Sequence, residues 1–494
     1  MVYVVNYVIN YIMPQYSGGM EIKMERLKKT GKLEYKKSAD IKKSRIGIGF
    51  EKLDRDVFDP TKAYDKLAAV GIKYVRLQSG WAKTEKQKGV YDFAWLDEIV
   101  DNLISRGFIP WICLCYGNAL YNEEAKESFG AVGYPPIYTE EAKKAWDNYV
   151  TALVTRYRDK VGIYEVWNEP DGVECYCWKH GTNAKDLGEF TIATSKAIRK
   201  ANPDAKIIGG VICVHSLTFL SDAFKTGMAD YIDAVSFHEY THDETHLFGR
   251  VSSLRGLCDM YNPNIKLVQG ESGSQSRSDG AGALAGGAWT ERRQAKQLLR
   301  HTVADLMTEV VFTSYFSCMD MIEALNGTIG DKASYLDYGY FGVLRADFDE
   351  NGYSTGEYSE KPSYYALGNL CAIFTGEYEV KPVPIMFMKK TSPRIFGTDD
   401  TENITSAGFV RKDGSCAFAY WKSTNLMTNE YESTVSIHYA DIKGAVRLID
   451  PYDGSVYEIP ESMTEREGTS AVTFNNLPLK DYPLILTFGE FVEE

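Results

Sequence analysis

The sequence predicts an α/β protein: a (β/α)8 (TIM) barrel with a C-terminal antiparallel β-sandwich domain. From Arg45 onward, short apolar segments alternate with amphipathic helical segments, which indicates parallel strands joined by helical crossovers. After Thr375 the pattern changes to short alternating runs separated by turn sequences such as Asp453-Gly454, which is typical of antiparallel sheets. The chain has 494 residues, 44% of them hydrophobic, which is enough for one large barrel and a smaller domain.

The elements of the barrel can be placed in order from apolar runs and from helix start and stop signals. Gly71 and Gly107 are expected to cap the first two helices, and Thr139 is a good N-cap for the third. An open doubly wound sheet is the competing fold, and it is disfavoured because no phosphate-binding glycine pattern follows the first strand. We expect strands at 46–50, 72–78, 108–115, 162–170, 205–213, 231–240, 265–271 and 310–317, and helices at 61–70, 93–106, 139–159, 184–201, 216–227, 245–261 and 290–308, with a last helix from 361.

These patterns divide the chain into three expected regions, with boundaries at residues 1–44, 45–375 and 376–494. The first is a leader whose alternation over 33–41 predicts one edge strand for the β domain. The second is the barrel, and the third is the sandwich. The apolar segment 1–13 lacks a basic region and a cleavage site, so we expect a cytoplasmic protein and leave secretion open. No apolar run is long enough for a membrane span.

The fourth predicted strand ends in a carboxylate. Ile163, Val166 and Trp167 favour a strand, and Pro170 stops it, because proline has no N–H for the ladder. Glu169 therefore lies at the C-terminal end of a barrel strand, where the catalytic groups of such barrels are found.

The seventh predicted strand has the same design. Its apolar residues run into Gly270-Glu271, and Ser272 follows at once. In a closed parallel barrel the ends of non-adjacent strands face one bowl, so Glu169 and Glu271 are expected to meet. Two facing carboxylates match the chemistry of glycoside hydrolysis. We expect Glu169 to be the general acid/base, which requires a raised pKa, and Glu271 to be an ionised nucleophile held by donors such as Arg76.

The net charge and the cysteine content argue against a nucleic-acid-binding protein and against a disulfide-stabilised one. The formal net charge of −13 repels phosphate backbones and argues against a nucleic-acid partner. The nine cysteines are odd in number and mostly lie in apolar segments, so no disulfide framework is expected. A substrate is the expected partner, and a homo-oligomer is left open.

Several motifs give the chain a family resemblance. It resembles the clan A glycoside hydrolases and is most similar to family 39, which contains β-xylosidases and α-L-iduronidases. The resemblance covers about residues 45–375 and, more loosely, the β domain. It is carried by the motifs Trp167-Asn168-Glu169-Pro170, Gly270-Glu271, Val75-Arg76, Gly80-Trp81, Gly89-Val90-Tyr91-Asp92-Phe93, Ala201-Asn202-Pro203-Asp204-Ala205, Ser236-Phe237-His238-Glu239-Tyr240 and Lys361-Pro362-Ser363-Tyr364-Tyr365-Ala366-Leu367.

The resemblance implies a retaining enzyme that needs no metal or organic cofactor. It also implies that Asn168 bonds the sugar 2-hydroxyl, that Tyr240 holds Glu271, and that His238 lies near the same subsite. Trp81 and Trp178 are candidates for stacking on sugar faces.

Two segments depart from the family pattern. Cys175, Cys177 and His180 follow Glu169, and a metal site there is left open although Cys-x-Cys lacks the usual zinc spacing. A Gly-rich loop over 272–288 follows Glu271. Glu165 and Glu239 are expected to be decoys: Glu165 lies deep in the barrel or on its outer face, and Glu239 faces the helices.

The sequence therefore predicts a retaining, exo-acting glycosidase of plant-type oligosaccharides, most like a β-xylosidase. The alternatives are another clan A specificity (β-glucosidase, β-galactosidase, β-glucuronidase or α-L-arabinofuranosidase), an endo-acting glycanase, and a sugar-binding barrel without catalysis.

Overall fold

The structure, a computed structural model, describes residues 27–172, 178–181, 183–323, 337–388, 403–426, 428–442, 444–468 and 470–492. In these residues a closed barrel of eight parallel strands is followed by antiparallel sheets, as the sequence predicts. A short strand, β1 (Lys28–Lys32), precedes the barrel. The barrel strands are β2 (Ile46–Gly49), β3 (Tyr74–Gln78), β4 (Ile109–Leu114), β5 (Ile163–Val166), β6 (Lys206–Ile212), β7 (Ala234–Glu239), β8 (Lys266–Ser272) and β9 (Val310–Tyr315).

Helices surround the barrel and cover the outward faces of its strands. Apolar side chains recur on one side of each long helix and pack against the strands, so the core is a closed layer between helices and sheet. Thr139 caps α4 through its hydroxyl, and Asn183 caps α5 through its amide oxygen. The helices are α1 (Tyr64–Ala69), the short α2 (Trp81–Thr84), α3 (Ala94–Ser105), α4 (Glu140–Tyr157), α5 (Ala184–Ala201), α6 (Leu217–Phe224), α7 (His246–Tyr261), α8 (Glu291–Leu306) and α9 (Pro362–Ile373).

The sequence predicted all eight barrel strands and every barrel helix except the short α2, with most boundaries within a few residues. The fourth helix in the predicted series, 184–201, has the predicted bounds. Predicted strands run a few residues too far where a β-like sequence continues into a loop. The fourth is the clearest case, because β5 ends at Val166, before Trp167 and Glu169.

The C-terminal region is made of two antiparallel sheets. One has seven strands in the order β1-β20-β19-β23-β17-β16-β14, and the other has four in the order β15-β18-β22-β21. Two short hairpins, β10–β11 and β12–β13, lie between the barrel and this region. The strands are β10 (Met321–Ile322), β11 (Tyr338–Gly339), β12 (Leu344–Phe348), β13 (Ser354–Glu360), β14 (Glu379–Val380), β15 (Ile385–Met388), β16 (Ile404–Val410), β17 (Cys416–Lys422), β18 (Glu432–Tyr439), β19 (Val446–Asp450), β20 (Ser455–Glu458), β21 (Thr464–Glu467), β22 (Ala471–Lys480) and β23 (Leu484–Phe488).

The edge strand lies earlier than predicted. β1 pairs with β20 over 28–32, whereas the alternation pointed to 33–41. Every residue of β1 is exposed, so no hydrophobic alternation marks it, and the predicted span was wrong for that reason. Residues 1–26 of the predicted leader region lie outside the described residues, and the domain boundaries stay a prediction.

Helix α8 joins the barrel to the β region through buried charges. Lys296 lies 2.9 Å from Asp481, and Arg300 donates to Glu244 at 2.7 Å. The Trp421 indole of β17 donates to the other oxygen of Glu244 at 2.7 Å. A buried charge that loses its partner is strongly destabilising, so these pairs fix the β region against the barrel.

The described cysteines form no disulfide bond with each other, and most of them are buried. In the part of the chain that the structure describes, no helix has the length and apolar character required to span a membrane.

Candidate active site

A cavity of about 490 Å³ opens at the carboxyl ends of the barrel strands. Side chains from β3, β7 and β8 and from the segments that follow β2, β5 and β9 line it. Glu169, Glu271, Asn168, His238 and Tyr240 are all among them. The barrel therefore brings five of the sequence-predicted site residues to one place.

Glu169 is aimed into this cavity by an unusual backbone. Trp167 has φ of 67° and Glu169 has φ of 46°, both in the left-handed region that non-glycine residues rarely adopt. Such conformations cost on the order of 1–3 kcal/mol each and persist where the surrounding structure holds them. Asp171 supplies part of that hold, because its carboxylate accepts hydrogen bonds from the backbone N–H groups of Cys213 and Val214 at 2.8 and 3.0 Å.

Glu271 reaches the same cavity through an irregularity in β8. Phe237 pairs with Gln269, but His238 pairs with Glu271, so Gly270 is an extra residue in the ladder. A Cβ atom at position 270 would lie 2.3 Å from the Ser236 hydroxyl and 2.9 Å from the His238 ring. Only glycine fits this bulge, and the bulge sets Glu271 beside His238.

The two carboxylates meet at the floor of the cavity. One oxygen of Glu169, one of Glu271 and a ring nitrogen of His238 all lie within 4.8 Å of one another. His238 Nδ1 is 2.8 Å from Glu169 Oε1 and 3.6 Å from Glu271 Oε1. Donors at this spacing could hold a cation, but the direct His238–Glu169 hydrogen bond joins the atoms that would be its ligands.

The charges of this group shift its proton affinities. Burial opposes protonation of His238, but the carboxylates of Glu271 and Glu169 outweigh it and raise the His238 pKa above its usual value. Burial likewise favours the protonated form of Glu271, but His238, Arg76 and the Tyr240 hydroxyl outweigh it and lower its pKa. Glu271 is therefore the carboxylate that the site holds ionised.

Arg76 is the buried cation behind the site. It donates to Glu271 and Glu165 and, at 2.7 Å, to Asn168 Oδ1, while Glu51 lies 3.4 Å away. Burial disfavours its charge, but Glu165, Glu271 and Glu51 raise its pKa well above the usual value. The guanidinium fork thus orients the predicted nucleophile and the predicted 2-hydroxyl ligand at once.

Tyr240 and Asn168, two residues that the sequence predicted to belong to the site, both make hydrogen bonds there. Tyr240 donates a hydrogen bond from its hydroxyl to Glu271 Oε2 at 2.8 Å. Asn168 accepts from Arg76 through its amide oxygen, which leaves the NH₂ group as the donor that faces the cavity.

The two tryptophans are not where the sequence analysis expected them. Trp81 is 1% exposed and Trp178 is 2% exposed, and neither lines the catalytic cavity. The Trp81 ring stacks on Tyr121 and donates to Glu85 at 2.5 Å. Both rings are closed off by packing, so neither is available to sugar in the catalytic cavity.

The two predicted decoys differ in their outcome. Glu165 lies deep in the barrel, fully buried and bonded to Arg76. Glu239 pairs with Arg250 of α7 at 2.8 Å, as expected for a side chain near the helices, but both residues also line the catalytic cavity. For the open metal site, Cys175 and Cys177 lie outside the described residues, and His180 pairs with Glu124 at 2.5 Å.

Sequence reasoning missed other charged groups of the cavity. Glu51 follows β2 directly, and burial raises its pKa to about 7, with Arg76 opposing the rise and Glu271 adding to it. Lys52 and Glu323 form a buried ion pair at 2.9 Å. Glu51 is one more carboxylate after a barrel strand, so its sequence position could have indicated a site residue. Glu323 follows no periodic segment, so nothing in the sequence indicated its role.

Comparisons with known proteins agree with this geometry. A model for glycosyl hydrolases family 39 matches residues 49–252, a segment that includes Glu169 and His238 and ends before Glu271. A β-xylosidase of Geobacillus stearothermophilus is 27% identical over 173 residues, 33% of either protein. The β-galactosidase BgaA of Clostridium cellulovorans is 28% identical over 151 residues, 27% of this chain and 23% of that protein. The alignments thus span a third or less of these curated relatives.

Solved structures share the fold over nearly the whole chain. A family 39 glycoside hydrolase from Bacteroides cellulosilyticus WH2 superposes with a TM-score of 0.60 and 17% identity, covering 90% of this chain and 80% of that one. A monomeric β-xylosidase from Caulobacter crescentus CB15 has a TM-score of 0.57 and 16% identity, covering 93% and 97%. A family 30 endoxylanase from Clostridium papyrosolvens has a TM-score of 0.55 and 12% identity, covering 92% and 98%. At these identities the superpositions show a common fold.

The matched segment begins at Gly49, the last residue of the first barrel strand, and extends into α7, so it contains the next five barrel strands in full. In this barrel, residues 49–252 are therefore similar to the glycosyl hydrolases of family 39.

Proposed function

We propose that the protein is a retaining, exo-acting glycosidase that removes terminal sugars from plant-type oligosaccharides, with β-xylosidase-like activity. The observation that carries this proposal is the approach of Glu169 and Glu271, whose nearest carboxylate oxygens lie within 4.8 Å in the cavity. Retaining glycosidases hold their two carboxyl groups about 5–5.5 Å apart, whereas inverting enzymes need roughly 6.5–9.5 Å to admit a water molecule. The spacing favours the retaining reaction.

In the first step Glu169 donates a proton to the glycosidic oxygen while Glu271 attacks the anomeric carbon. The carbon–oxygen bond to the leaving group breaks, a covalent glycosyl–Glu271 ester forms, and the leaving group departs as an alcohol. Arg76 and Tyr240 hold Glu271 in its attacking position and keep it ionised.

In the second step Glu169, now ionised, removes a proton from water. The resulting nucleophile attacks the anomeric carbon and releases Glu271, so the sugar leaves with its original configuration and Glu169 regains its proton. His238 bonds Glu169 directly and lies near Glu271, so it moderates the repulsion between the two carboxylates in both steps.

Exo action and the choice of sugar rest on separate observations. The loop after β8 reaches back over the cavity, because Gly282 and Ala283 line it, and a wall of this kind favours a closed pocket over an open cleft. β-Xylosidase activity is proposed from relatives that carry that name. Since another relative is a β-galactosidase, the sugar must be found by experiment.

Azide rescue tests the roles of the two glutamates. Glu271→Gly should lose turnover, and azide should restore it with a glycosyl azide of inverted configuration, because azide then attacks from the vacant nucleophile side. Glu169→Gly is the matched variant: its azide product should keep the substrate configuration, because the glycosyl–Glu271 ester still forms. Normal activity of Glu271→Gly without azide would reject the assignment.

A substrate panel tests the specificity. Aryl β-xyloside, β-glucoside, β-galactoside, β-glucuronide and α-L-arabinofuranoside should be compared by kcat/KM, and the β-xyloside should be the best. Early products of xylooligosaccharides should be single sugars; products of mixed length would replace exo with endo action.

A further inference from the structure

A second cavity, of about 260 Å³, lies on the same end of the barrel as the catalytic one. Its wall comes from Trp81 of α2, from the segment between β4 and α4, from the first turn of α4, and from His180, which follows β5. All of these belong to the carboxyl-end face, where the loops of such barrels bind ligands. Pockets for drug-sized ligands measure roughly 300–1,000 Å³, so this volume suits one ring rather than a chain.

The lining has the chemistry of a sugar site. The rings of Tyr121, Tyr134, Tyr138 and His180 surround the cavity, with the polar side chains of Asn122 and Glu124 among them. A pyranose presents a C–H face that packs on aromatic rings and a rim of hydroxyl groups that bond amides and carboxylates. Tyr138 is 44% exposed, although its ring packs edge-on against His180 at 5.2 Å. An aromatic ring held in place and left exposed is available for such a face.

The charges of the lining exclude an anionic ligand. Among the described residues that line the cavity there is no lysine or arginine, and two carboxylates, Glu123 and Glu124, are present. His180 is already paired with Glu124 at 2.5 Å. The amide oxygen of Asn122 accepts from the backbone N–H of Glu124, so its NH₂ group remains to donate to a hydroxyl. A neutral polyhydroxylated ring fits these groups.

The two cavities are neighbours along the chain. Tyr116 lines the catalytic cavity, and Asn118, two positions later, lines the second one. Gln78, the last residue of β3, lines the catalytic cavity, and Trp81, three positions later, lines the second one. Consecutive Cα atoms are about 3.8 Å apart, so these wall residues are separated by the length of a sugar unit or two at most. One oligosaccharide can therefore reach both cavities.

We infer that the second cavity binds a further sugar unit of the substrate, on the leaving-group side of the bond that is cleaved. The inference rests on the proposed function, since an enzyme that removes a terminal sugar holds every other sugar unit on that side. Trp81, which is packed beneath Tyr121, is then a support of the second cavity rather than a catalytic-site platform.

The test compares substrates with and without sugars in the leaving group. Tyr138→Ala should leave kcat/KM for the aryl monosaccharide unchanged and lower it for oligosaccharides long enough to reach the cavity, by about three- to tenfold for an aromatic contact of about 0.5–1.5 kcal/mol. Tyr138→Phe keeps the ring and should retain most of the activity. Tyr365→Ala removes a ring of similar exposure (46%) on α9 and should change neither value.

Each outcome separates the inference from the proposed function. Equal loss on both substrate types, or no loss on oligosaccharides of any length, would overturn the second sugar site and leave the two-glutamate assignment intact. If the wild-type protein hydrolyses no glycoside, oligosaccharide affinity measured by calorimetry decides instead. Weaker binding by Tyr138→Ala than by Tyr365→Ala would then support the site while the proposed function fails, and equal binding would reject the site as well.

Discussion

The Tyr240 hydroxyl lies 2.8 Å from Glu271 Oε2 and donates a hydrogen bond to it. This bond joins adjacent strands at the floor of the catalytic cavity, and it favours the ionised form of Glu271, whose pKa is lowered. It therefore links the geometry of the proposed nucleophile to its charge.

Tyr240→Phe should lower kcat by roughly 10- to 100-fold, since a hydrogen bond to a charged group is worth about 1.5–3 kcal/mol. It should also move the acid limb of the pH–rate profile upward, because Glu271 loses a donor that keeps its pKa low. A pH–rate profile of kcat/KM measures both effects. An unchanged acid limb would show that Tyr240 does not control the ionisation of Glu271.

Asn168→Ala tests the proposed 2-hydroxyl contact. Bonds to that hydroxyl strengthen in the transition state and contribute several kcal/mol, so kcat/KM should fall by about 100-fold or more. With a 2-deoxy glycoside the same substitution should cost much less, because the hydroxyl partner is already gone. Equal losses on the two substrates would assign Asn168 to the support of Glu169 or Arg76 instead.

Arg76→Met should destabilise the fold as well as remove activity. Three carboxylates, Glu51, Glu165 and Glu271, lose their common cation in a buried site, and breaking a buried ion pair costs about 3–5 kcal/mol. Urea unfolding measures the loss. Arg345→Met is the control, because Arg345 pairs with Glu291 at the surface and such pairs are worth about 0–1 kcal/mol. Equal effects of the two variants would contradict the account of the Arg76 site.

Glu51 should make stability depend on pH near neutrality. Its folded pKa is raised to about 7, above the value of about 4.3 for an exposed glutamate. Between these values the unfolded chain releases a proton that the folded chain keeps, so the free energy of unfolding falls as pH rises through this window. Glu51→Gln removes the slope. Urea unfolding should show that the free energy of unfolding of the variant, relative to that of the wild type, rises between about pH 5 and about pH 8 by at most about 4 kcal/mol. An equal difference at the two pH values would contradict this.

The sequence was sufficient for the barrel and for the two facing glutamates, because both follow from rules of period and strand ends. Alternation over 238–240 also predicted that His238 and Tyr240 face the cavity, and both line it, although Glu239 lines it as well. It could not tell which way a loop aromatic turns, so Trp81 was assigned to sugar although its ring packs under Tyr121. Nor could it find the pairing of β1, whose exposed lysines carry no period and whose partner lies more than 400 positions away.

Glu51 and Glu323 could not be recognised as site residues from the sequence, for a different reason. A carboxylate after a strand is common, and only the closed barrel shows that Glu51 shares Arg76 with Glu271. The bulge at Gly270 was equally hidden, because a single glycine before a strand-end glutamate does not reveal that an added Cβ would strike Ser236 and His238.

The salt bridges on α8 bear on how this protein can be dissected. Lys296 pairs with Asp481, and Arg300 pairs with Glu244, which also accepts a hydrogen bond from Trp421. All of these side chains are buried. A recombinant fragment that stops after α9 would leave Lys296 without its acid and Glu244 without its indole, on a surface newly opened to solvent. The catalytic half is therefore expected to be insoluble or unfolded when expressed alone, and heating the full-length chain should give one melting transition rather than two.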